Sequence, residues 1–254
     1  MSDDTATKCL ADCRGYRFHC RNPEEFVRIC DDVFAHDEYA FRTRQRTPLI
    51  VDAGAHVGVA THYFKHRYPR ARVLAFEANP VTFALLRRNI ALNRLDDVRP
   101  IHAAVAPQAG EITFYASASD DEPGAWGDSA VRQPWHEDEG TAIVRVPAVT
   151  LSSVLAEPVD LLKLDIEGAE DAVLADCEPV LDRVRAMVVD LHEFDPSTRQ
   201  APRVLERLAR AGFTYAIDEF VPLTWREPTA EASSPFPGKA LAWAMTVRAW
   251  RSVR

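Results

Sequence analysis

From residue 49 onward, short apolar runs alternate with stretches of helical periodicity, and this alternation restricts the possible folds strongly. The run LIVDA is followed by GVATHYFKHR, and the run ARVLAFE by PVTFALLRRNIALN, in which Phe83, Leu86 and Ile90 fall at helical spacing. Strands that alternate with helices form mainly parallel sheets, because each return to the sheet requires a helical crossover. The pattern predicts an α/β protein with a seven-stranded, mainly parallel sheet and helices on both faces.

Two regions interrupt the alternation. Residues 1–48 precede the first strand and are predicted to form a small N-terminal cap on one domain at 49–254. Residues 116–141 are rich in Gly, Pro, Asp, Ser and Trp, which predicts an inserted lid loop. The flanking segments EITFYAS and TAIVRVPAVT are predicted to pair as an excursion from the main sheet.

The composition narrows the classes of partner. A formal net charge of −8 is unfavourable for binding the phosphate backbone, so no nucleic-acid partner is expected. No apolar run approaches the length of about 18 residues that a membrane span needs, and MSDDTATKCLADC lacks the apolar core of a signal peptide. We therefore expect a cytoplasmic protein with a small-molecule substrate, and leave open whether it forms a homodimer.

The cysteines give a further expectation about the cellular compartment. Their number is odd, and their spacings match no common zinc site. Without a signal peptide, reduced thiols are expected. The five are Cys9, Cys13, Cys20, Cys30 and Cys177.

The turn after the first core strand has the pattern D-x-G-x-x-x-G, formed by Asp52, Gly54 and Gly58. This spacing is not the G-x-G-x-x-G of dinucleotide binders, and an acidic residue there would repel a pyrophosphate. A helix N-terminus beside an acidic residue suits a zwitterionic amino-acid group instead. Glu77 ends the second strand, where a carboxylate can accept hydrogen bonds from ribose hydroxyls. An amino acid together with a ribose indicates S-adenosylmethionine, and NAD is the alternative.

At this point the chain resembles a known family. The segments VDAGAHVG, AFEANPVTFALLRRNIALN, HAAVAPQAGEITFY and VDLLKLDIEGAE are similar to those of FkbM-type S-adenosylmethionine-dependent methyltransferases. The resemblance runs from about Tyr39 to His192, and its most specific part is the K-[LIV]-D-[LIV]-E-G-x-E block. It implies a Rossmann-like class I methyltransferase fold.

The resemblance also implies a set of cofactor contacts. Where the family usually has Asn, this chain has His56, whose imidazole either donates to the cofactor or caps the following helix. The methionine part would lie on Asp52, Gly54, His56 and Gly58, the ribose on Glu77 with Asn79 nearby, the adenine beside His102 to Ala104, and Tyr39 would approach from the cap.

Acidic residues at two strand ends are the candidates for catalysis. In LLKLDIEGAE, Asp165 shares a face with Lys163, and Glu167 continues that face beyond the strand end. Either carboxylate could serve as general base on a substrate hydroxyl, or the two could hold a divalent cation. Glu170 is predicted to be a charge at a helix N-terminus.

The next strand, in VVDLHEF, places Asp190 and His192 on one face. His192 is a candidate base or metal ligand, and a buried structural histidine is an equal alternative. A divalent cation, if one binds, would be held by Asp165, Glu167, Asp190 and His192.

Specificity for the methyl acceptor is predicted to come from the insert. Four of its residues are candidates to close over the acceptor, and a surface loop packed on the core is the alternative: Trp126, Asp128, Ser129 and Trp135.

The sequence therefore predicts an S-adenosylmethionine-dependent methyltransferase acting on a hydroxyl of a small molecule, such as a sugar, a polyketide or another secondary metabolite. N-methylation of a small-molecule amine is the nearest alternative. An NAD-dependent oxidoreductase and a non-catalytic S-adenosylmethionine-binding partner protein are alternatives of other classes.

Overall fold

The N-terminal region forms a hairpin and a helix. The computed structural model describes residues 9–117, 128–131, 141–194, 198–222 and 242–251. Strands β1 (Cys9–Cys13) and β2 (Tyr16–Cys20) pair antiparallel, and helix α1 (Pro23–Ala35) follows. The side chain of Asn22 begins α1, because it accepts hydrogen bonds from the backbone N–H groups of Glu24 and Glu25.

From residue 49 the chain alternates between strands and helices, with one excursion of three strands. The elements are β3 (Leu49–Ala53), α2 (Val59–Arg67), β4 (Arg72–Glu77), α3 (Pro80–Leu92), β5 (Val98–His102), β6 (Ala104–Val105), β7 (Gly110–Ser117), β8 (Thr141–Val149), α4 (Leu151–Val154), β9 (Val159–Leu164), α5 (Glu170–Cys177), β10 (Val184–Glu193), α6 (Gln200–Arg210), β11 (Thr214–Pro222) and β12 (Trp243–Trp250). A 3₁₀ helix at Glu178–Arg183 leads into β10.

Within the described residues, seven strands form the central sheet in the order β5-β4-β3-β9-β10-β12-β11. The five strands from β5 to β10 are mutually parallel, and β12 runs antiparallel to both of its neighbours, β10 and β11. The predicted fold, a mainly parallel seven-stranded sheet of the Rossmann-like methyltransferase type, is confirmed.

The sheet separates two apolar cores, which explains why its central strands read as continuous apolar runs. All five residues of β3 are buried. On β9, Leu162 packs in one core with Val204 of α6, whereas its neighbour Leu161 packs in the other core with Phe64 of α2. Full burial of such a side chain contributes about 1.5–3 kcal/mol, so the layered packing holds the strand ends in place.

The excursion between β5 and β9 is a small separate sheet. Strand β8 pairs antiparallel with β7 and parallel with β6, as the sequence predicted for the two segments flanking the insert. The expected single strand VRPIHAAV is instead divided, because the chain leaves the central sheet at Ala103 and joins β8. The insert returns to this sheet at Ser129, whose backbone exchanges two hydrogen bonds of 2.9 Å with Tyr115.

The cap is crosslinked, which corrects the expectation of reduced thiols. Cys9 pairs with Cys20, its direct partner in the hairpin register, and Cys13 pairs with Cys30 on α1. The Cα–Cα separations are 5.4 and 6.2 Å. The fifth cysteine, Cys177, is free and buried. Spacing alone could not reveal this pairing, because it depends on the hairpin register and on the position of α1.

None of the helices in the described part of the chain combines the length and hydropathy that a transmembrane span requires.

Candidate active site

A cavity of about 580 Å³ lies at the carboxyl ends of the central strands. In open α/β sheets this edge is where ligands bind. The wall is built by residues that follow β3, β4, β9 and β10, by the inner face of α1, and by β11 and β12. Its volume falls within the range of small-molecule sites, about 300–1,000 Å³.

Gly54, directly after β3, lets two loops meet at the floor of this cavity. Its φ is +83°, and a Cβ atom there would lie 1.8 Å from the backbone oxygen of Asp165. Gly58 has φ +96° and begins α2, and a Cβ atom there would lie 2.8 Å from Leu86 Cδ1. Both positions therefore require glycine, but only Gly54 lies on the cavity wall.

Asp52 sits behind the glycine turn rather than on the wall. Its side chain is fully buried, Thr61 Oγ1 donates to its Oδ2 at 2.6 Å, and Lys163 Nζ lies 3.6 Å from its Oδ1. Burial raises the pKa of Asp52, and the Lys163 ammonium opposes that shift. The structure thus gives Asp52 an indirect role in place of the direct cofactor contact that we expected.

Lys163 organises the floor of the cavity. Its Nζ donates to the carbonyl oxygen of Gly54 at 2.9 Å and to Asp165 Oδ2 at 3.2 Å, and it lies 5.3 Å from the centre of the Tyr39 ring. Burial would lower the pKa of Lys163, but the carboxylates of Asp165 and Asp52 raise it above its ordinary value. Lys163 is absent from the site residues that the sequence predicts, although its position two residues before Asp165 is a signal.

Glu77 ends β4 on the cavity wall. Its Oε2 accepts from the backbone N–H of His56 at 2.9 Å, and its Oε1 accepts from that of Asn79 at 2.8 Å. Burial raises the pKa of Glu77, opposed by His56. Asn79 is not on the wall: its Oδ1 accepts from Val81 N at the start of α3, and its Nδ2 donates to Asp128 Oδ2 at 2.6 Å.

The two histidines expected near the cofactor differ in position. His56 lies on the cavity wall with φ +51°, and its Nε2 is 3.7 Å from Glu25 Oε1 of α1. His102 is not on the wall, because its ring stacks on Phe83 with centroids 4.8 Å apart. Ala103 and Ala104, which follow it in the chain, do line the cavity, so the predicted adenine region is partly on the wall.

Asp165, Glu167 and His192 converge on one part of the wall. One ligand atom from each lies within 4.8 Å of the others. His192 Nε2 is 3.8 Å from Glu167 Oε1, and His192 Nδ1 is 3.5 Å from Glu170 Oε1. Burial would lower the pKa of His192, but the carboxylates of Glu167 and Glu170 raise it well above the ordinary value.

Glu170 is an acidic residue at the N-terminus of α5, as predicted, and also contacts the site. It is fully buried, and its Oε1 accepts from the backbone N–H groups of Gly168 at 3.0 Å and Ile166 at 3.3 Å. The same oxygen faces His192. Glu170 therefore fixes the loop that carries Glu167 and helps to orient the imidazole, a function that the sequence did not reveal.

Asp190 holds the side chains of Tyr39 and Thr246 in place at the site. Its Oδ2 accepts from Tyr39 Oη at 3.0 Å and its Oδ1 from Thr246 Oγ1 at 2.8 Å. Burial and the Asp165 carboxylate raise its pKa to about 6. Asp190 does not join the cluster of Asp165, Glu167 and His192, so three of the four expected metal ligands come together. Tyr39 lies on the wall, as expected, with its hydroxyl anchored on Asp190.

Among the described residues of the insert, Asp128 and Ala130 line the cavity. Ser129 is buried, and its Oγ donates to the carbonyl oxygen of Glu167 at 2.6 Å, which anchors the insert on the loop after β9. Trp126 and Trp135 lie outside the described residues. The cavity wall also contains side chains that were not predicted from the sequence, among them Glu38, Phe194 and Met245.

Comparisons with known proteins agree with this geometry. Residues 52–215 match the family described as "Methyltransferase FkbM domain". Methyltransferase sdnD of Sordaria araneosa is 32% identical over 229 residues, which cover 78% of this chain and 88% of that protein. The 31-O-demethyl-FK506 methyltransferase FkbM of Streptomyces tacrolimicus is 30% identical over 198 residues, covering 67% and 74%. The 2-O-methyltransferase NoeI of Sinorhizobium fredii is 27% identical, covering 61% and 68%.

A solved structure supports the fold independently. The methyltransferase FkbM from Methylobacillus flagellatus KT superposes with a TM-score of 0.53 at 12% identity, covering 86% of this chain. This chain spans about half of that protein, 47% of its length. The family match spans the glycine turn and the acidic ends of β9 and β10, and it favours a methyltransferase over the nicotinamide-dependent oxidoreductase. The chain belongs to the FkbM methyltransferase family and is an S-adenosylmethionine-dependent methyltransferase.

Proposed function

We propose that this methyltransferase transfers the methyl group to a hydroxyl of a small molecule. The observation that carries the proposal is the cluster of Asp165, Glu167 and His192, which shares the wall of one cavity with the glycine turn. Hydroxyl acceptors need a nearby base, and this cluster supplies carboxylates at the right edge of the sheet. Relatives named as O-methyltransferases, FkbM and NoeI, support the same reaction class.

The residues present fit the cofactor. A Cβ atom at position 54 would collide with the backbone, so glycine is the residue that fits this part of the wall. Glu77 places its carboxylate at the end of the next strand. Gly54 and His56 would hold the methionine part, Glu77 the ribose, and the wall around Ala104 the adenine. When bound, the cofactor supplies an activated methyl group on a sulfonium.

The protein then has to align the acceptor and take up one proton. Because the surrounding carboxylates keep the proton on His192, the hydroxyl proton goes to a carboxylate. We assign that role to Asp165, whose Oδ2 is held by Lys163 while the side chain remains part of the wall. Protonated His192 balances the charge of Glu167, and alignment supplies most of the rate.

A divalent cation at Asp165, Glu167 and His192 is a proposed alternative to this arrangement, because His192 would bind it only as the neutral imidazole. Two carboxylates and one imidazole form a donor set that suits Mg²⁺, Mn²⁺ or Zn²⁺. A cation there would lower the pKa of an acceptor hydroxyl. Dialysis against EDTA followed by return of each cation tests this: loss and recovery of activity are expected, and unchanged activity in EDTA would dismiss the cation.

The reaction class is tested with labelled methyl donor and paired acceptors. Each pair consists of an alcohol and the amine of the same skeleton, drawn from sugars and polyketide-like alcohols. Label is expected in the alcohols, and Asp165→Asn is expected to lower turnover by about 10²–10⁴ while retaining cofactor binding. Methylation of the amines alone would contradict O-methylation, and full activity of Asp165→Asn would make Asp165 a structural residue.

A small-molecule acceptor as the partner, without nucleic acid or membrane, remains a proposal based on the net charge of −8 and the size of the cavity. The cytoplasmic location remains a prediction from the sequence, and the disulfides of the cap oppose a reducing compartment. The sequence leaves the oligomeric state open, a homodimer included. Light scattering of the purified chain would decide the oligomeric state.

A further inference from the structure

Glu38 connects the cap to the cavity. It follows α1, lines the cavity, and is partly buried. Its backbone N–H donates to the carbonyl oxygen of Asp32 at 3.4 Å, and its own carbonyl oxygen accepts from Arg248 of β12. The next residue, Tyr39, is anchored on Asp190. The backbone at Glu38 is therefore held on both sides, so the position of its carboxyl group is a property of the folded site.

The charges around Glu38 do not balance. On the same wall lie the carboxylates of Asp165, Glu167 and Asp190. The cation Lys163 is engaged by Asp165 and Asp52, and His192 lies between Glu167 and Glu170. Among the residues that the structure describes, no cationic side chain forms an ion pair within 4.0 Å of the Glu38 carboxyl group, and Lys163 is the cation that acts on it from a distance.

This environment opposes ionisation of Glu38. Burial and the carboxylates of Asp190 and Asp165 raise its pKa to about 8, against the smaller opposite effect of Lys163. A carboxyl group held in an acidic cavity is destabilised as an anion until a cation approaches it. The protein keeps such a group on the wall of its active site, which points to a positively charged ligand.

We propose that Glu38 makes the cavity distinguish the methyl donor from its demethylated product by charge. The inference rests on the proposed function. Methyl transfer breaks a carbon–sulfur bond and forms a carbon–oxygen bond, the hydroxyl proton passes to a carboxylate, and the sulfur becomes a neutral thioether. Both forms of the cofactor carry the same amino-acid group, so only the sulfonium charge differs between them. A carboxylate at Glu38 favours the donor and promotes release of the product.

The test compares three ligands by calorimetric titration, without an acceptor. S-adenosylmethionine has a sulfonium, S-adenosylhomocysteine has a neutral thioether, and sinefungin has a protonated amine in place of the sulfonium and its methyl group. Wild-type protein is expected to bind the two cationic ligands at least about tenfold more tightly than S-adenosylhomocysteine. Glu38→Gln is expected to reduce this ratio by about fivefold or more, mainly by weakening the cationic ligands.

Glu24→Gln is the matched control. Glu24 is an exposed glutamate of the same α1 that does not line the cavity, so the variant makes the same change of side chain away from the ligand. Its ligand ratio is expected to equal that of the wild type. Equal binding of all three ligands by the wild type, or an equal loss for all three in Glu38→Gln, would overturn the inference alone. Failure of the wild type to bind any of them would overturn the cofactor assignment and the inference together.

Discussion

At the scale of the residue, the site depends on a few positions where a side chain is either forbidden or required. Gly54 allows the turn after β3 to touch the loop after β9, and Lys163 joins the carbonyl oxygen of Gly54 to Asp165. Asp52, the most conspicuous acid in the glycine motif, acts from behind through this lysine. Local sequence identifies such residues, but it does not show whether they face the ligand or support the residue that does.

Replacing Gly54 tests whether a side chain is excluded there by a clash of its Cβ atom with the backbone or only by the strain of a positive φ. Gly54→Ala places a Cβ atom 1.8 Å from the Asp165 carbonyl oxygen at a φ of +83°. It is expected to abolish binding of S-adenosylhomocysteine and to lower the free energy of unfolding by more than the roughly 1–3 kcal/mol of a strained φ alone. Gly15→Ala is the control, because Gly15 has φ +91° but no atom within 4 Å of the added Cβ. Equal effects of the two changes in urea denaturation would contradict the clash.

Glu38 is expected to make stability depend on pH. Its pKa is about 8 in the folded protein, whereas an unfolded glutamate titrates near pH 4.3, so the native state binds more protons between these values. The free energy of unfolding therefore falls as pH rises through this window. Relative to Glu38→Gln, wild-type protein is expected to lose about 4 kcal/mol of unfolding free energy between pH 5 and pH 8.5.

Urea denaturation of both proteins across this range measures the difference in their free energies of unfolding. The titration of groups common to both proteins cancels in that difference. The charged groups that face Glu38 or hold its backbone are Asp190 on β10, Asp165 and Lys163 at β9, Asp32 on α1 and Arg248 on β12. A wild-type-to-variant difference that stays constant with pH would contradict the proposed environment of Glu38.

At the scale of the element, the hairpin and α1 act as one crosslinked wall of the site. The Cys13–Cys30 disulfide joins β1 to α1, and α1 places Glu25 beside His56. Four residues of α1 line the cavity: Arg28, Ile29, Asp32 and Val33. The sequence predicted a cap, but its cysteines were expected to be reduced. The error arose because two crosslinks, each closing a short loop, depend on strand register, which the spacing of the cysteines does not encode.

The crosslinks predict a protein that is sensitive to reduction. Removing one disulfide that closes a loop of this size is expected to lower the free energy of unfolding by about 2–4 kcal/mol. Peptide mapping after alkylation without reductant is expected to find Cys9 linked to Cys20 and Cys13 to Cys30, with Cys177 alkylated only after denaturation because it is buried. The double variant Cys13→Ser/Cys30→Ser is expected to weaken S-adenosylhomocysteine binding more than Cys9→Ser/Cys20→Ser, because the Cys13–Cys30 disulfide holds α1, which lines the cavity. Full alkylation of all five native cysteines would contradict the pairing.

At the scale of the whole molecule, the order of strands decides where chemistry occurs. The sheet order brings the ends of β3, β4, β9 and β10 to one edge, and the antiparallel β12 carries Thr246 and Met245 beside them. One cavity thus combines the glycine turn, the acid at the end of β4 and the cluster of Asp165, Glu167 and His192. The segments of the family pattern are up to about a hundred residues apart, yet they meet because parallel strands share their carboxyl edge.

The sequence by itself determined the alternation of strands and helices, the seven-stranded sheet, the excursion formed by β7 and β8, and the family. These features are local: periodicity, glycine turns and a strand-end motif lie within a few residues of one another. Only the tertiary structure decided that Asp52 is hidden, that Asp190 binds Tyr39 and Thr246, and that Glu38 faces the cavity. These depend on contacts between segments far apart in the chain, such as Asp190 with Tyr39, 151 residues away, and with Thr246, 56 residues away. Tertiary packing selects such contacts, and no local pattern records them.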